Sequence, residues 1–223
     1  MNAPTGSIAI PAGSQELSTA EVSDALDALR LPGSAIGIGH VAGRARIFGP
    51  AYTVRYAPVD HANPGTVGDY LDDTPEGAVV VLDNGGRTDC TVWGGILSQL
   101  AAHRSIAGSV IWGVCRDTGE AEQVNYPLYA CGRFMRTGKD RVQVEAVGEV
   151  VSLSDVRVAA GDYIVGDEDG IVVVPRARAA EVFERALVLR AAEQRIVAAT
   201  LAGATLTDAR RRAAYHTLQR AGS

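Results

Sequence analysis

The chain has 223 residues, of which 47% are hydrophobic and 21% are charged, and its mean hydropathy lies near zero. This composition is typical of a folded globular protein and argues against the disordered and fibrous classes. The formal net charge of −5 argues against nucleic acid as a ligand, because no overall positive field would gather phosphate groups.

The sequence has no run of about 18 apolar residues, and its first residues lack the basic and apolar segments of a secretory signal. The three cysteines, Cys90, Cys115 and Cys131, have neither CxxC spacing nor a nearby pair of histidines, which argues against a disulfide framework or a zinc site. We therefore predict a cytoplasmic protein without membrane contact, whose thiols are reduced and mostly buried.

The first 30 residues divide into an arm and a helix. Residues 1–17 are rich in Gly, Pro and Ser, which predicts a flexible N-terminal arm. Ser18 and Thr19 then cap a predicted helix that ends before Pro32. Its apolar residues share one face: Val22, Ala25, Leu26 and Leu29. A strand is predicted after it, at 47–57.

The segment 77–115 predicts a strand, a loop, a helix and a second strand. Residues 77–82 form a continuous apolar run, as expected of a strand covered on both faces, and 83–89 are a polar loop with glycines. Residues 91–104 have helical spacing, and 106–115 are apolar again. In such a βαβ unit the two strands run parallel.

The rest of the chain alternates short strands with turns before a long helix. A strand is predicted at 127–131, antiparallel pairs within 141–158, and two further strands on either side of the turn 166–170. A long helix follows at 176–199. The sequence thus predicts a single α/β domain over 18–203, followed by a polar, Arg-rich and exposed helical tail at 204–223.

Two features of the βαβ segment suggest a ligand site. Arg116 and Asp117 follow the second strand directly, and ligands of open α/β sheets bind outside the carboxyl ends of the strands. Arginine offers a planar fork for a carboxylate, and aspartate a hard oxygen ligand for Mg²⁺ or Mn²⁺. Backbone N–H groups at Gly85-Gly86 and Gly94-Gly95 can bind an anion, although these glycines can equally serve turns and close packing. An Arg-Asp pair can also be a surface ion pair or a helix cap.

Several common catalytic motifs are absent from the sequence. It has no GxGxxG, GxxxxGK[ST] or GxSxG, and its four histidines form neither HxH nor HExxH. Cys115 stands beside Arg116, which would lower the pKa of its thiol, but its place in an apolar strand favours burial instead. The segment 166–170 lacks the spacing of a calcium-binding loop, so a β-turn is expected there.

Taken together, four segments resemble one family. They are GPAYTVRY at 49–56, a stretch at 81–117 that contains LDNGGRTDCTVWGG and ends in GVCRD, PLYACG at 127–132, and AAGDYIVGDEDGIVVVP at 159–175. The chain resembles the RraA-like family, which includes class II 4-hydroxy-4-methyl-2-oxoglutarate and 4-carboxy-4-hydroxy-2-oxoadipate aldolases and the regulator of ribonuclease activity A. The similarity covers roughly residues 20–200.

The resemblance implies a swivelling β/β/α fold with a long C-terminal helix, assembled as homotrimers or homohexamers with sites at subunit interfaces. It also implies a small oxo-acid substrate and a divalent cation, Mg²⁺ or Mn²⁺. By this resemblance Arg116 holds the pyruvyl group, Asp117 binds the metal, and the backbone amides of Gly95, Ile96 and Leu97 receive the carboxylate. Segments 60–75 and 134–140 are expected to set substrate specificity.

The match is incomplete at one position. After the Trp-Gly pair, aldolases of this family carry an acidic residue that orients water beside the metal, whereas this chain has Gly95. A second acid comes from the C-terminal helix of a neighbouring subunit, and Glu193 is the matching residue here. If the missing acid limits turnover, the substitution Gly95→Asp should raise aldolase activity.

Three hypotheses follow from the sequence. The first is a metal-dependent lyase that acts on a 2-oxo acid, with Arg116 and Glu193 as catalytic residues and Asp117 as the metal ligand. The second keeps the pocket but changes the reaction to another enolate-type step, such as an isomerisation, a hydration or a different retro-aldol cleavage. The third is a non-catalytic regulator that binds a protein partner such as ribonuclease E.

Overall fold

The computed structural model describes residues 9–215, which form eleven strands and five α-helices. The strands are β1 (Ser34–Ala35), β2 (Gly39–Ala42), β3 (Ile47–Pro58), β4 (Val79–Thr91), β5 (Gly108–Cys115), β6 (Leu128–Arg133), β7 (Val142–Val147), β8 (Val151–Leu153), β9 (Val156–Val158), β10 (Tyr163–Asp167) and β11 (Gly170–Val174). The helices are α1 (Thr19–Ala28), α2 (Gly95–His103), α3 (Thr118–Gln123), α4 (Ala179–Leu201) and α5 (Leu206–Arg212). The predicted α/β class with a long C-terminal helix is confirmed.

Nine of these strands form one mixed sheet in the order β1-β11-β10-β3-β4-β5-β6-β2, with β7 paired to β3. Its centre, β3 to β6, is parallel, and the outer pairings are antiparallel. β8 and β9 form a separate antiparallel pair. The predicted parallel alignment of β4 with β5 is confirmed.

The central strands are buried on both faces. In β4, Val80 and Leu82 enter one apolar cluster, whereas Val79 and Val81 enter a second cluster on the opposite face. All four side chains are fully buried. Strand residues alternate between the two faces, so a continuous apolar run is what a strand with two covered faces requires.

A third apolar cluster joins α1 and α4 to the β10–β11 hairpin. It contains Leu26 of α1, Phe183 of α4 and Val172 of β11. Leu17, which belongs to the predicted flexible arm, is fully buried in the same cluster, and residues 14–16 form a 3₁₀ turn. The arm prediction is therefore wrong for residues 14–17, because burial of the Leu17 side chain fixes this stretch; residues 1–8 lie outside the described residues.

The loop predicted at 83–89 is instead part of β4. Gly85 and Gly86 have positive φ angles of 62° and 68°, and the pairing with β5 shifts register between Asp83 and Arg87 and again before Thr91. Glycine adopts this backbone conformation without steric cost, so the chain bulges outward and returns to the same ladder. The following helix begins at Gly95 rather than at residue 91.

The C-terminal tail is helical over α5, as predicted, although Ala209 is buried; residues 216–223 lie outside the described residues. Within residues 9–215, none of the helices has the length and apolar character that crossing a membrane requires.

Asp167 connects helix α1 to the β10–β11 hairpin. Its buried carboxylate accepts hydrogen bonds from the Thr19 N–H at 2.7 Å, the Thr19 hydroxyl at 2.6 Å and the Asp169 N–H at 3.0 Å. The substitution Asp167→Ala leaves these donors without partners, so we expect a loss of about 1–3 kcal/mol in the free energy of unfolding.

Urea denaturation followed by circular dichroism measures this loss. The matched control is Asp169→Ala, because that side chain is exposed in the same turn, and its effect should stay within about 0.5 kcal/mol. Equal stability of the two variants would contradict the assigned role of Asp167.

Cys115 ends β5 with its side chain fully buried. Burial raises the pKa of this thiol from 9.0 to about 12, so the direction favoured by the sequence is confirmed. We expect Cys115 to resist alkylation in the native protein at pH 8 and to react once the protein is unfolded, as peptide mass mapping would show.

The same shift affects stability in a defined direction. The unfolded thiol ionises near pH 9.0 and the folded thiol near 12, so the folded state binds the proton more tightly. The contribution of Cys115 to stability should therefore decline as the pH rises above 9.0, and this part of the decline should be absent in Cys115→Ala. Rapid alkylation of native Cys115 at pH 8 would contradict both the burial of this thiol and its raised pKa.

Candidate functional site

The site lies at the carboxyl end of β5, where the backbone is fixed on both sides. The N–H of Arg116 donates to the carbonyl of Trp93 at 3.1 Å, and the N–H of Phe134 donates to the carbonyl of Cys115 at 2.9 Å. The first bond ties the Arg116-Asp117 pair to the segment that leads into α2. The two regions of sequence that suggested a ligand site therefore meet in space.

Trp93 supports this junction from the core. Its ring is buried, stacks on Tyr126 with ring centroids 5.8 Å apart, and its indole N–H donates to the Ser98 hydroxyl at 2.9 Å. Ser98 belongs to the first turns of α2, so this bond holds the start of the helix against the core. Gly94 and Gly95 are consequently presented at a defined position beside Arg116.

Asp117 has an unusual backbone conformation that determines where its carboxylate lies. Its φ of 54° and ψ of 37° fall in the left-handed region, which aspartate tolerates better than most residues. The carboxylate Oδ2 accepts a hydrogen bond from the Gly95 N–H at 3.1 Å and lies 3.4 Å from Arg116 Nε. Both charged side chains are 40% exposed, so each remains accessible to a ligand.

The pair Gly94-Gly95 at the start of α2 allows this close approach. A Cβ atom on Gly94 would lie 2.8 Å from Asp117 Oδ2, closer than Cβ atoms approach their neighbours in proteins, and it would make a tight contact of 3.2 Å with Arg116 Nε. Of the two interpretations left open by the sequence, close packing is thus confirmed for Gly94. The packing partners are the charged groups of the candidate site itself.

Glu120 is a residue of the site that the sequence analysis missed. A Cβ atom on Gly95 would overlap the Glu120 carboxylate, so this side chain fills the space beside the position where the expected acid is absent. Its Oε2 accepts a hydrogen bond from Gln99 Nε2 at 2.7 Å. The available signal was its spacing: Glu120 lies in the first turn of α3, three residues after Asp117, which directly precedes that helix.

These groups line one open cavity of about 440 Å³. Its lining residues are Val67, Gly68, Thr91, Val92, Trp93, Gly94, Gly95, Ile96, Leu97, Arg116, Asp117, Glu120 and Thr137. The cavity brings together Arg116, Asp117 and the predicted carboxylate-binding stretch 95–97. Val67, Gly68 and Thr137 come from the two segments expected to set specificity.

A second cavity, of about 310 Å³, lies beside the residues that precede β5 and β6, and Arg44 is the only charged residue in its lining. It contains no carboxylate that could bind a metal. The first cavity, with one arginine and two carboxylates, is therefore the better candidate for oxo-acid chemistry.

The glycine-containing bulge of β4 does not contribute to this cavity. Arg87 there forms a two-point ion pair with Asp89, with N···O distances of 2.9 and 2.8 Å, and this partner lowers the pKa of the Asp89 carboxyl. The Gly85 N–H donates to the Asp83 carboxylate at 2.9 Å. The Gly85-Gly86 pair thus serves a turn, and its Gly85 amide is already used.

Glu193 is not among the residues that line the cavity. It lies on α4, and its Oε1 accepts a hydrogen bond from the Tyr215 hydroxyl at 2.7 Å. The sequence assigned it to the site of a neighbouring subunit, which a single chain does not test, so its role stays a prediction.

The carboxylates that line the cavity supply part of the ligand set that a divalent cation needs. Within residues 9–215, no three His, Cys, Asp or Glu side chains are grouped to hold a metal ion. Asp117 and Glu120 offer two hard oxygen ligands, and Mg²⁺ commonly takes one or two protein carboxylates and keeps several waters. The chemistry of these residues is therefore compatible with Mg²⁺ or Mn²⁺.

Comparison with known proteins agrees with the resemblance noted in the sequence. The chain is 37% identical over 194 residues to the protein DlpA of Legionella pneumophila, a match that covers 86% of this chain and 32% of DlpA. It therefore spans about a third of that protein. It is 32% identical over 144 residues, 63% of its length, to 81% of a protein from Halorhodospira halophila that carries the provisional name 4-hydroxy-4-methyl-2-oxoglutarate aldolase.

Among solved structures, an uncharacterised protein from Pseudomonas syringae pv. tomato str. DC3000 superimposes with a TM-score of 0.83 at 40% identity. The match covers 92% of this chain and all of that one, so the two share the mixed α/β fold with its long C-terminal helix. The sequence model of the RraA-like family, described as Aldolase/RraA, matches residues 19–173. The chain belongs to the RraA-like family.

Proposed function

We propose that this protein is a divalent-metal-dependent lyase that acts on a 2-oxo acid or a related enolisable substrate and releases pyruvate or a similar product. The observation that carries the proposal is the cavity in which Arg116, Asp117 and the first turn of α2 converge. Family membership and a relative provisionally named as an aldolase support it.

Arg116 is the group that would bind the oxo-acid substrate. Its guanidinium offers parallel N–H donors that match a carboxylate or a pyruvyl group, and its exposed portion faces the cavity. The first turn of α2 adds backbone N–H groups at Ile96 and Leu97, since first-turn amides have no acceptor within their own helix. Together these donors would fix the orientation of the substrate.

Asp117 would hold the cation beside the substrate, and a bound Mg²⁺ or Mn²⁺ would stabilise the negative charge that develops on the substrate oxygen. In oxaloacetate, cleavage of the C3–C4 bond releases CO₂ and leaves the electron pair as an enolate, which takes a proton at C3 to give pyruvate. In an aldol substrate the hydroxyl proton passes to water and the hydroxyl carbon becomes a carbonyl as the C–C bond breaks, while the electron pair of that bond forms the enolate of pyruvate, which is then protonated at carbon. Arg116 would stabilise the transition state of both reactions by binding the part of the molecule that becomes pyruvate.

The cavity is open, and we propose that a second copy of the chain covers it in a homotrimer or homohexamer. Ile96 lies at its rim with 82% of its surface exposed, and a large apolar side chain in that position is well suited to a subunit contact. Glu193 of the partner subunit would then supply the further acid. Sedimentation analysis of the purified protein tests this assembly, and a monomer at micromolar concentration would contradict it.

A different enolate-type reaction is the second candidate, and the observation that favours it is Gly95. The acid expected there is absent, which alters the position of the group that handles the proton. Product analysis by NMR distinguishes an isomerised or hydrated product from released pyruvate.

The direct test of the lyase is pyruvate release. With Mg²⁺ or Mn²⁺ present, the purified protein should release pyruvate from oxaloacetate or from 4-hydroxy-4-methyl-2-oxoglutarate, as measured by coupling to lactate dehydrogenase. A chelator should abolish the release, and added metal should restore it. Absence of metal-dependent product from both substrates would reject the proposal.

Replacement of Arg116 by lysine tests the planar fork. Arg116→Lys keeps the charge but loses the paired donors, so kcat/KM for pyruvate release should fall about 100-fold or more. The matched control is Arg157→Lys on β9, whose side chain is exposed outside the cavity and whose rate should match that of the parent. An Arg116→Lys variant with the parental kcat/KM would exclude this role of Arg116 in substrate binding.

Replacement of Asp117 by asparagine tests the metal ligand. Asparagine tolerates the left-handed backbone and can still accept the Gly95 N–H, so Asp117→Asn removes the charge with little change in geometry. We expect the affinity for Mn²⁺, measured by titration calorimetry, to fall by at least about tenfold. Unchanged affinity would place the metal elsewhere.

A further inference from the structure

We propose that this site acts on 4-hydroxy-2-oxo acids that carry a single carboxylate, the one beside the oxo group, and an apolar group at C4. Val67 and Leu97 form the surface that selects this substrate class. The inference rests on the proposed lyase function, because it names the substrate of the same site. Its structural basis lies in the charges of the cavity lining and in the packing of the segment 59–68 against helix α2.

The first argument concerns the charges in the cavity lining. Among residues 9–215, Arg116 is the only cationic residue that lines the cavity, and the proposed function uses it for the carboxylate beside the oxo group. The other two charged residues of the lining, Asp117 and Glu120, are acidic, and an ionised carboxylate offers no hydrogen-bond donor to another carboxylate. A substrate with a second carboxylate would therefore find no basic side chain for it.

The segment between β3 and β4 has the same charge character. Residues 59–76 contain five acidic side chains and no lysine or arginine. The acidic residues are Asp60, Asp69, Asp72, Asp73 and Glu76. Val67 and Gly68 of this segment line the cavity. Because like charges repel, these side chains disfavour a second anionic group at this wall of the cavity.

The second argument concerns the apolar part of the lining. The side chains of Val67 and Leu97 are partly buried and pack against the apolar cluster on this face of the sheet. A Cβ atom on Gly68 would lie 3.0 Å from Leu97 Cδ2, so the segment that contains Val67 packs directly against α2. The two side chains thus give the cavity an apolar wall, and an alkyl group of the substrate is stabilised there by removal from water.

Hydrogen bonds fix this wall in place. The Tyr56 hydroxyl donates to the Val67 carbonyl at 2.6 Å, and the Val144 N–H donates to the Thr66 carbonyl at 2.9 Å. Tyr56 belongs to β3 and Val144 to β7, so two neighbouring strands hold the segment at adjacent residues. The apolar surface is therefore formed before a ligand binds, and little conformational entropy is lost on binding.

Two basic residues lie in the other segment that borders the cavity. Arg136 and Lys139 are both exposed, and only Thr137 of the segment 134–140 lines the cavity. The Arg136 guanidinium lies over the Phe134 ring, 5.6 Å from its centroid. Arg136 is the alternative partner for a second carboxylate, and its replacement belongs to the test.

Cleavage of such a substrate needs no further reactant. The C4 hydroxyl loses its proton to water, and C4 becomes the carbonyl carbon of an apolar aldehyde or ketone as the C3–C4 bond breaks. The electron pair of that bond forms the enolate of pyruvate, which takes a proton at C3. The second product is uncharged, so it needs no cationic partner at the wall formed by Val67 and Leu97.

Ligand affinity tests the proposal without turnover. The probes 4-methyl-2-oxopentanoate and 2-oxoglutarate share the 2-oxo acid group, differ in the apolar or charged group at the far end, and lack the hydroxyl that cleavage requires. With Mg²⁺ present, titration calorimetry on the full-length protein should give an affinity at least about tenfold higher for 4-methyl-2-oxopentanoate, because a carboxylate at the apolar wall loses hydration without gaining a partner. Equal affinities, tighter binding of 2-oxoglutarate or binding of neither probe would overturn the proposal.

A cation placed on the wall tests the role of Val67. In Val67→Lys the ratio of the two affinities should shift toward 2-oxoglutarate by at least about tenfold, because the ammonium group offers the missing partner. The matched control is Val150→Lys, an exposed valine outside the cavity, which should keep the parental ratio, as should Arg136→Ala. An unchanged ratio in a Val67→Lys variant with the parental circular dichroism spectrum would overturn the proposal, and so would a changed ratio in Arg136→Ala.

Cleavage of two matched substrates extends the test to turnover. 4-Hydroxy-4-methyl-2-oxopentanoate differs from 4-hydroxy-4-methyl-2-oxoglutarate only in a methyl group that replaces the second carboxylate. The first yields acetone and one pyruvate, and the second yields two pyruvates. Because the two differ in intrinsic reactivity, the quantity to compare is the ratio of their kcat/KM values in the parent and in Val67→Lys, which should shift at least about tenfold toward the dicarboxylate.

The two measurements separate this proposal from the proposed function. If the parent prefers 4-methyl-2-oxopentanoate as a ligand but releases no pyruvate from oxaloacetate or from either matched substrate, the lyase function fails and the selectivity stands. If the parent releases pyruvate but binds 2-oxoglutarate more tightly, the lyase function stands and this proposal fails.

Discussion

The parallel pairing of β4 with β5, buried on both faces, is the constraint on which the site depends. Because parallel strands end at the same edge of a sheet, the chain that leaves β4 and the chain that leaves β5 emerge side by side. The bond from the Arg116 N–H to the Trp93 carbonyl joins them at that edge. Trp93, fixed in the core by its stacking on Tyr126, gives the junction a rigid base. The hydrophobic core therefore determines the geometry of the charged groups.

Close packing at this edge of the sheet determines where the charged side chains of the site lie. Gly94 and Gly95 lose more conformational entropy on folding than other residues would, but their lack of a side chain leaves room for the Asp117 and Glu120 carboxylates next to the helix start. The left-handed backbone of Asp117 turns its carboxylate back toward the Gly95 N–H. An arginine and two carboxylates thus share one solvent-accessible cavity, an arrangement suited to an anionic substrate bound together with a cation.

Sequence patterns predicted most of the central fold because burial on both faces leaves a clear signature. The apolar runs of β4 and β5, the capping residues of α1 and the periodicity of α4 were read correctly within a few residues at their ends, except at the carboxyl end of β4, which continues to Thr91. The errors have local physical causes. Burial of Leu17 in the cluster of α1 and α4 orders part of a stretch whose composition indicated a flexible arm, and two glycines at positive φ keep the 83–91 segment within β4. Composition alone contains neither fact.

The sequence by itself determined that a strand, a helix and a second strand form the site, and that Arg116 and Asp117 follow the second strand. These features depend on local periodicity and on residue chemistry. It also showed that position 95 has no acid. Only the tertiary structure decided which side chain fills that space, because Gly95 and Glu120 belong to different helices whose approach is set by the packing of α2 and α3 on the sheet. The sequence shows that position 95 has no side chain, and the fold places the Glu120 carboxylate in the space beside it.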